Sequence, residues 1–231
     1  MSPHAQYRGR FFRRILERAP ASLLDVGCGE GALIASLVDH NIRVAGLEPD
    51  KATVDACRDR RFSVQQGTAE AMPFEDNSFD MVVSEFSLHH FADYEAAVAE
   101  CLRVARRFVL FLDGWYDRTI PSQRAADGFD RWMKDIDQKC GEIHGPVLDA
   151  GQVLAAAQKA EPAVSAQTEH WLQLTPLAED KYHELVEESL SRAPDPDDAK
   201  ESLTALQQQI AQDGLSEDGA LFIALTLPSS D

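Results

Sequence analysis

The chain reads as an α/β protein with a Rossmann-like, doubly wound, mostly parallel seven-stranded sheet and a helical cap insertion. Three observations predict it. Over the first two-thirds, short apolar runs alternate with amphipathic helical patterns. A glycine loop, Asp25-Val26-Gly27-Cys28-Gly29-Glu30-Gly31, joins the first such run to a helix, and Glu48 closes the second run. The described pattern ends on an apolar stretch, 220–227, preceded by a strand-like segment at 165–174.

Taken in order, Phe11, Phe12, Ile15 and Leu16 recur at helical spacing, so 7–17 is an amphipathic leading helix. Strands follow at 23–26, 42–47, 62–65, 79–84 and 108–112, with helices at 30–39, 50–60 and 94–105 between them. After Asp113 the alternation stops. Residues 114–148 are rich in aromatic and charged side chains and read as a cap or lid with one helix at 128–139. A helix at 149–160 and the 165–174 strand resume the core. Two acidic helices, broken by Ala193-Pro194-Asp195-Pro196, precede the last strand. The expected division is 1–22 leading helix, 23–113 binding core, 114–148 cap, and 149–231 remainder of the core.

Composition excludes several classes. The 231 residues are 44% apolar, ample for a core, and carry a net charge of −17. Five arginines fall within residues 1–18, whereas 177–218 holds twelve acidic residues against three basic ones. Such a surface repels phosphate backbones, so no nucleic-acid partner is expected and small molecules are the better substrates. No apolar run approaches the roughly 20 residues that span a bilayer, and the N-terminus lacks a signal-like apolar region. Cys28, Cys57, Cys101 and Cys140 are widely separated without CxxC spacing, which suits reduced thiols in the cytoplasm and no metal site. A homodimer through the cap or leading helix stays open.

The glycine loop carries the chemistry. Glycines admit positive φ and let a ligand approach the backbone, and a carboxylate at Glu48 is placed to accept from a ribose diol. Gly27-x-Gly29-x-x-Ala32 also satisfies a dinucleotide fingerprint, so an NAD-linked oxidoreductase remains a rival. Against it stands Asp25, a carboxylate inside the loop that would face a cationic amino-acid moiety but repel a pyrophosphate.

DVGCGEG, LEPD, GTAEAMPFEDNSFD and SEFSLHHF, in this order and spacing, resemble the class I S-adenosylmethionine-dependent methyltransferases of the type 11 group. That group includes the ubiquinone and menaquinone biosynthesis methyltransferases. The resemblance spans about 23–112. It implies S-adenosylmethionine as methyl donor, with S-adenosylhomocysteine as product. It also implies that Gly27, Gly29 and Gly31 pass under the methionine part and that Asp25 orders the loop. Glu48 would hold the ribose, Pro49 the adenine face, Thr68, Ala69 and Glu70 the adenine edge, and Ser84 the region beside the methionine amine. Two departures stand out: Thr68 where relatives carry aspartate, and no Pro-Gly-Gly turn before the fifth strand.

Methyl transfer from a sulfonium needs positioning, plus a base if the acceptor must lose a proton. His89 and His90, just past the fourth strand, and His144, from the cap, are the catalytic candidates. His89 and His90 also admit a purely loop-shaping role. Cys140 with His144 lacks further ligands for a metal. Trp115, Tyr116 and Trp132 are stacking candidates, Asp113 and Asp117 candidates for orienting a polar acceptor, and Tyr7 and Arg10 for closing over the cofactor. The acceptor is a small metabolite offering O, N or C. A non-catalytic S-adenosylmethionine-binding partner protein is the other alternative, and a macromolecular target is disfavoured by charge.

Overall fold

The computed structural model describes residues 2–228. Helix α1 (Pro3–Glu17) starts where the Ser2 hydroxyl accepts from the Ala5 amide and Pro3 occupies the first turn. It buries Tyr7, Phe11 and Ile15. The core then runs β1 (Ser22–Val26), α2 (Ala32–Leu37), β2 (Arg43–Glu48), α3 (Lys51–Asp59), β3 (Val64–Gln66), β4 (Phe79–Glu85), α4 (Tyr94–Val104) and β5 (Ala105–Trp115). It continues with α5 (Pro121–Lys139), α6 (Ala150–Ala160), β6 (Ser165–Trp171), α7 (Glu179–Arg192), α8 (Pro196–Asp213) and β7 (Gly219–Thr226).

The seven strands lie in the order β3-β2-β1-β4-β5-β7-β6, parallel except for β7, which is antiparallel to both neighbours. The two halves wind outward from β1 and β4, whose paired carboxyl ends form the crevice where such sheets bind ligands. Alternating residues divide between two cores. Leu24, Val26 and Val82 pack with α4 and α6, while Leu23, Met81 and Val83 pack with α1 and α2.

Two elements differ from the sequence expectation for identifiable reasons. Strand β5 is eleven residues long, because α4 passes straight into it at Ala105 and antiparallel pairing with β7 continues out to Trp115↔Gly219. The cap helix begins at Pro121 rather than 128. Gly128, read as a boundary, sits inside α5, where a Cβ would lie 3.1 Å from the Leu206 side chain of α8. This close approach explains the glycine.

Helices α7 and α8, expected within the core remainder, pack on α5 instead. Phe129, Trp132, Ile136, Ala193, Ala199 and Leu203 form their own core, separate from the sheet. Phe129 and Trp132 stack at 5.6 Å, and the Trp132 indole N–H donates to the Ala199 carbonyl at 3.0 Å. The cap is therefore built from two insertions, one between β5 and α6 and one between β6 and β7. Truncating Trp132 to alanine removes this contact and should destabilise the cap by about 3 kcal/mol. Limited proteolysis should then cut within 175–215 while the sheet resists; uniform resistance would contradict this account.

No helix among the described residues is long and apolar enough to cross a membrane. Cys28, Cys57 and Cys101 are buried free thiols, and Cys140 is exposed and free.

Candidate functional site

The loop after β1 turns on three left-handed glycines, Gly27 at φ 72°, Gly29 at 48° and Gly31 at 77°. The amides of Gly27 and Cys28 both donate to the Leu47 carbonyl, at 2.9 and 3.2 Å, which lashes the loop to the end of β2. A Cβ on Gly27 would lie 2.7 Å from the Ser87 side chain, so the segment after β4 needs this glycine to close in. At Gly29 the same test meets no atom within 4 Å. The backbone there is bare and faces open space.

Glu48 ends β2 with both carboxylate oxygens engaged. One accepts from the Gly29 amide at 3.0 Å, the other from the Asp50 amide at 3.1 Å. Asp50 in turn caps α3 by accepting from the Thr53 amide. The acid is thereby fixed between the glycine loop and the next helix, with lone pairs left over.

Asp25 and Ser84 occupy the carboxyl ends of adjacent strands β1 and β4, and both are buried. The Ser84 hydroxyl is without a hydrogen-bond partner among the described residues. Burial pushes the Asp25 carboxyl up to about 8, reinforced by Glu85 and Glu48 and opposed by Arg8. Glu85 is raised too, by burial. A native protein satisfies nearly all such groups, so the orphaned Ser84 hydroxyl and the buried Asp25 carboxyl at the strand ends fit a cationic, amine-bearing ligand.

Of the remaining residues implied for the cofactor, Thr68 forms an isolated bridge with Ala71, and Ala69 is buried. Glu70 accepts from the Ala92 and Asp93 amides, at 2.8 and 3.4 Å, and so anchors the turn that opens α4. The Pro49 carbonyl accepts from Gln66.

Beyond β4 and β5 lies a chamber of about 280 Å³ whose lining includes Phe86, His89, Tyr116, His144, His4 and Arg8. It shares His4, Tyr116, Asp130 and Asp218 with an adjoining cap cavity of about 440 Å³. Phe86 carries φ 52°, an uncommon value for an aromatic residue. His4 stacks on its ring at 5.2 Å, and the Arg8 guanidinium lies 5.7 Å from the ring centre and 3.5 Å from Glu85. His4 also bonds Asp218 at 2.6 Å, which raises its pKa.

The two histidines of the fourth-strand loop and the one from the cap meet. His89 Nδ1 lies 2.6 Å from Asp113, His90 Nδ1 lies 3.0 Å from the Ile143 carbonyl, and His144 Nδ1 lies 2.7 Å from Asp137. Ring centres are 4.4 to 5.3 Å apart. Burial lowers the pKa of His90 and of His144, which favours neutral imidazoles.

Other candidates lie elsewhere. Tyr7 and Arg10 tie α1 to the β6 end, through a Gln173 amide bond and stacking on Trp171, while His4 and Arg8 of the same helix reach the chamber. Trp132 is inside the cap, Trp115 packs by His170, and Asp117 accepts from Thr119 in a turn. Cys28 fills space against Gly46, and burial pushes its thiol far up, which disqualifies it as a nucleophile. Cys140 bonds the Arg192 carbonyl and stands apart from the histidines. His4 and Arg8 escape sequence reading because an N-terminal segment reaching the strand ends is a tertiary fact with no local signal.

Residues 24–111 match the family model described as a methyltransferase domain. Over 119 residues the chain is 31% identical to the uncharacterized methyltransferase YcgJ of Bacillus subtilis, covering 48% of this chain and 46% of that protein. It is 29% identical over 116 residues to a demethylmenaquinone methyltransferase of Shouchella clausii, covering 46% and 49%. A tRNA (carboxymethyluridine(34)-5-O)-methyltransferase of Xenopus tropicalis matches at 36% over 86 residues, covering 36% of this chain and 13% of that one. The chain thus spans about half the length of the first two relatives. The crystal structure of YcgJ superposes with a TM-score of 0.63 at 19% identity, covering 98% and 100% of the two chains. Phosphoethanolamine N-methyltransferase 2 of Haemonchus contortus, solved with S-adenosyl-L-methionine, gives 0.57 at 17% identity, covering 95% and 52%.

Proposed function

We propose that the chain, whose residues 24–111 match a methyltransferase domain, is a class I S-adenosylmethionine-dependent methyltransferase of the type 11 group that methylates an O, N or C atom of a small metabolite. One observation carries the reading: the buried carboxyl of Asp25, with Glu85 and Glu48 around it, beside the bare backbone of Gly29. These carboxyls suit a cationic amino-acid sulfonium, which would draw the proton off Asp25, and oppose the pyrophosphate that an NAD-linked enzyme must hold. The bound cofactor supplies an electrophilic methyl group on a good leaving group.

The chain's own residues do the rest. Gly27, Gly29 and Gly31 hold the loop open at the methionine moiety, Asp25 and Ser84 offer an acceptor and a hydroxyl to its amine, and Glu48 takes the ribose diol. Pro49, Thr68, Ala69 and Glu70 border the adenine, with Glu70 acting through the turn that it anchors. His89 and His144 line the acceptor side of the chamber, with His90 packed against both. His4 and Arg8 line the chamber from the leading helix. Its modest volume of about 280 Å³, with a chain charge of −17, supports a small acceptor over RNA. The tRNA-modifying relative matches over 86 residues, 36% of this chain and 13% of its own length, so it supports the donor rather than the acceptor. Buried free thiols favour a reducing cytoplasm.

Calorimetry with S-adenosylhomocysteine tests the donor. Glu48→Gln replaces charge-assisted acceptance by a neutral one and should weaken binding about tenfold; unchanged affinity would refute the ribose role. Methyl-labelled S-adenosylmethionine, given with small-molecule, RNA or protein fractions of a cell extract, tests the acceptor. Label in the small-molecule fraction is expected. Label in RNA or protein alone overturns that part, and cofactor turnover in none of them favours the non-catalytic alternative.

A further inference from the structure

We infer that His89, His90 and His144 form a divalent metal site, with a first-row ion such as zinc as the ligand. One ring nitrogen from each lies within 4.8 Å of the others. Two come from the turn after β4 and the third from the far side of the chain, 54 residues beyond His90, so the fold itself brings them together.

The outer contacts decide what the rings can do. Each Nδ1 already faces an acceptor: the Asp113 carboxylate, the Ile143 carbonyl and the Asp137 carboxylate. A carbonyl can only accept, so His90 carries its proton on Nδ1, and the two carboxylates favour the same tautomer for His89 and His144. That leaves three Nε2 lone pairs, none of which accepts a hydrogen bond from the described residues. Metal-bound histidines are oriented in this way, with a carboxylate or carbonyl holding the second nitrogen. A loop-shaping role would not require ring nitrogens from two separate segments to converge.

The supports are themselves built in. Asp113 also accepts from the amides of His89 and Gly114, and Asp137 pairs with Arg192 at 2.7 Å. Their side chains are 4% and 6% exposed. The charges facing the cluster are Asp113, Asp137 and Asp130 against Lys134 and Arg192, so the surroundings are net negative before an ion enters. Nitrogens in a tetrahedral zinc site lie about 3.3 Å apart, so each ring needs to close in by under about 1 Å. Three protein ligands leave one position open, the pattern of catalytic rather than structural zinc. His89 and His144 line the 280 Å³ chamber, which is where the open position would be reached.

The site is independent of the cofactor reading, and the test keeps the two separate. The 231-residue chain, freed of any affinity tag and stripped with chelator, is titrated with cobalt(II), and visible ligand-field bands report coordination. One equivalent with four-coordinate bands is expected, displaced by zinc. His90→Ala and His144→Ala should each weaken binding by at least tenfold, and Asp113→Asn by about 10- to 100-fold. S-adenosylhomocysteine affinity, measured in parallel on each variant, certifies folding and should stay unchanged. His90 is exposed, so its variant remains informative if His144→Ala fails to fold. The absence of saturable binding, or binding that is indifferent to His90→Ala, as adventitious capture by the acidic helices would be, overturns the proposal. Metal binding without S-adenosylhomocysteine binding would uphold the site and refute the cofactor reading alone.

Discussion

Gly29→Ala should cost the fold about 1 kcal/mol and weaken S-adenosylhomocysteine binding by about 100-fold or more. The two effects separate because the protein leaves this position empty. A Cβ on Gly29 meets no atom within 4 Å, so the only penalty to folding is alanine at φ 48°, a left-handed value worth about 1–2 kcal/mol. The same methyl group projects into the space a ligand must enter to touch the loop backbone. It also disturbs an amide that donates to Glu48, the acid proposed to hold the ribose, so a charge-assisted contact of about 1.5–3 kcal/mol is at stake as well. Gly46 is the control. There a Cβ would lie 2.5 Å from Cys28 Sγ and 2.9 Å from Ile34, so Gly46→Ala should destabilise the protein by overpacking. Melting curves with calorimetry distinguish the pair. If Gly29→Ala binds like the parent chain, the loop does not carry the cofactor.

This contrast marks where sequence reading succeeds and stops. The glycine loop, Glu48 and the β1 to β5 alternation are local patterns, and the structure has each within a few residues of its expected bounds. Strand β5 outruns its apolar stretch because β7, a hundred residues later, supplies the antiparallel partner for Asp113 to Trp115. Helices α7 and α8 are acidic and weakly apolar, and only the Phe129 and Trp132 faces of α5 reveal which surface they cover. The histidines illustrate the same limit. The His89-His90 pair is visible as a motif and His144 as a lone residue. Nothing in the spacing says that residues 143 and 144 fold back over the β4 turn, as the Gly145 amide bond to the His89 carbonyl shows they do.

Asp25→Asn should make the protein more stable at pH 8 while impairing its use of S-adenosylmethionine. Burial raises the folded-state carboxyl to about 8, against about 4 when unfolded. Below pH 4 both states hold the proton, and the carboxyl exerts no pH-dependent penalty. Between about 4 and 8 the unfolded chain releases its proton while the folded chain retains it, so stability falls as pH rises. Above 8 the whole penalty is present, on the order of 5 kcal/mol as an upper bound. The asparagine does not titrate. The stability difference between variant and parent should therefore be near zero at pH 4, grow through pH 6 and level off near pH 8, as read from denaturant midpoints across that range. A cationic ligand beside Asp25 favours the ionised form, so binding at pH 7 should release a proton from the parent chain and none from the variant. Calorimetry in buffers of different ionisation enthalpy measures that release. A pH-independent stability difference would mean that the carboxyl is not the strained group, and equal proton release would mean that the ligand does not meet it. With both results as expected, the buried acid is a site held in an unfavourable state by the fold and relieved by its cofactor.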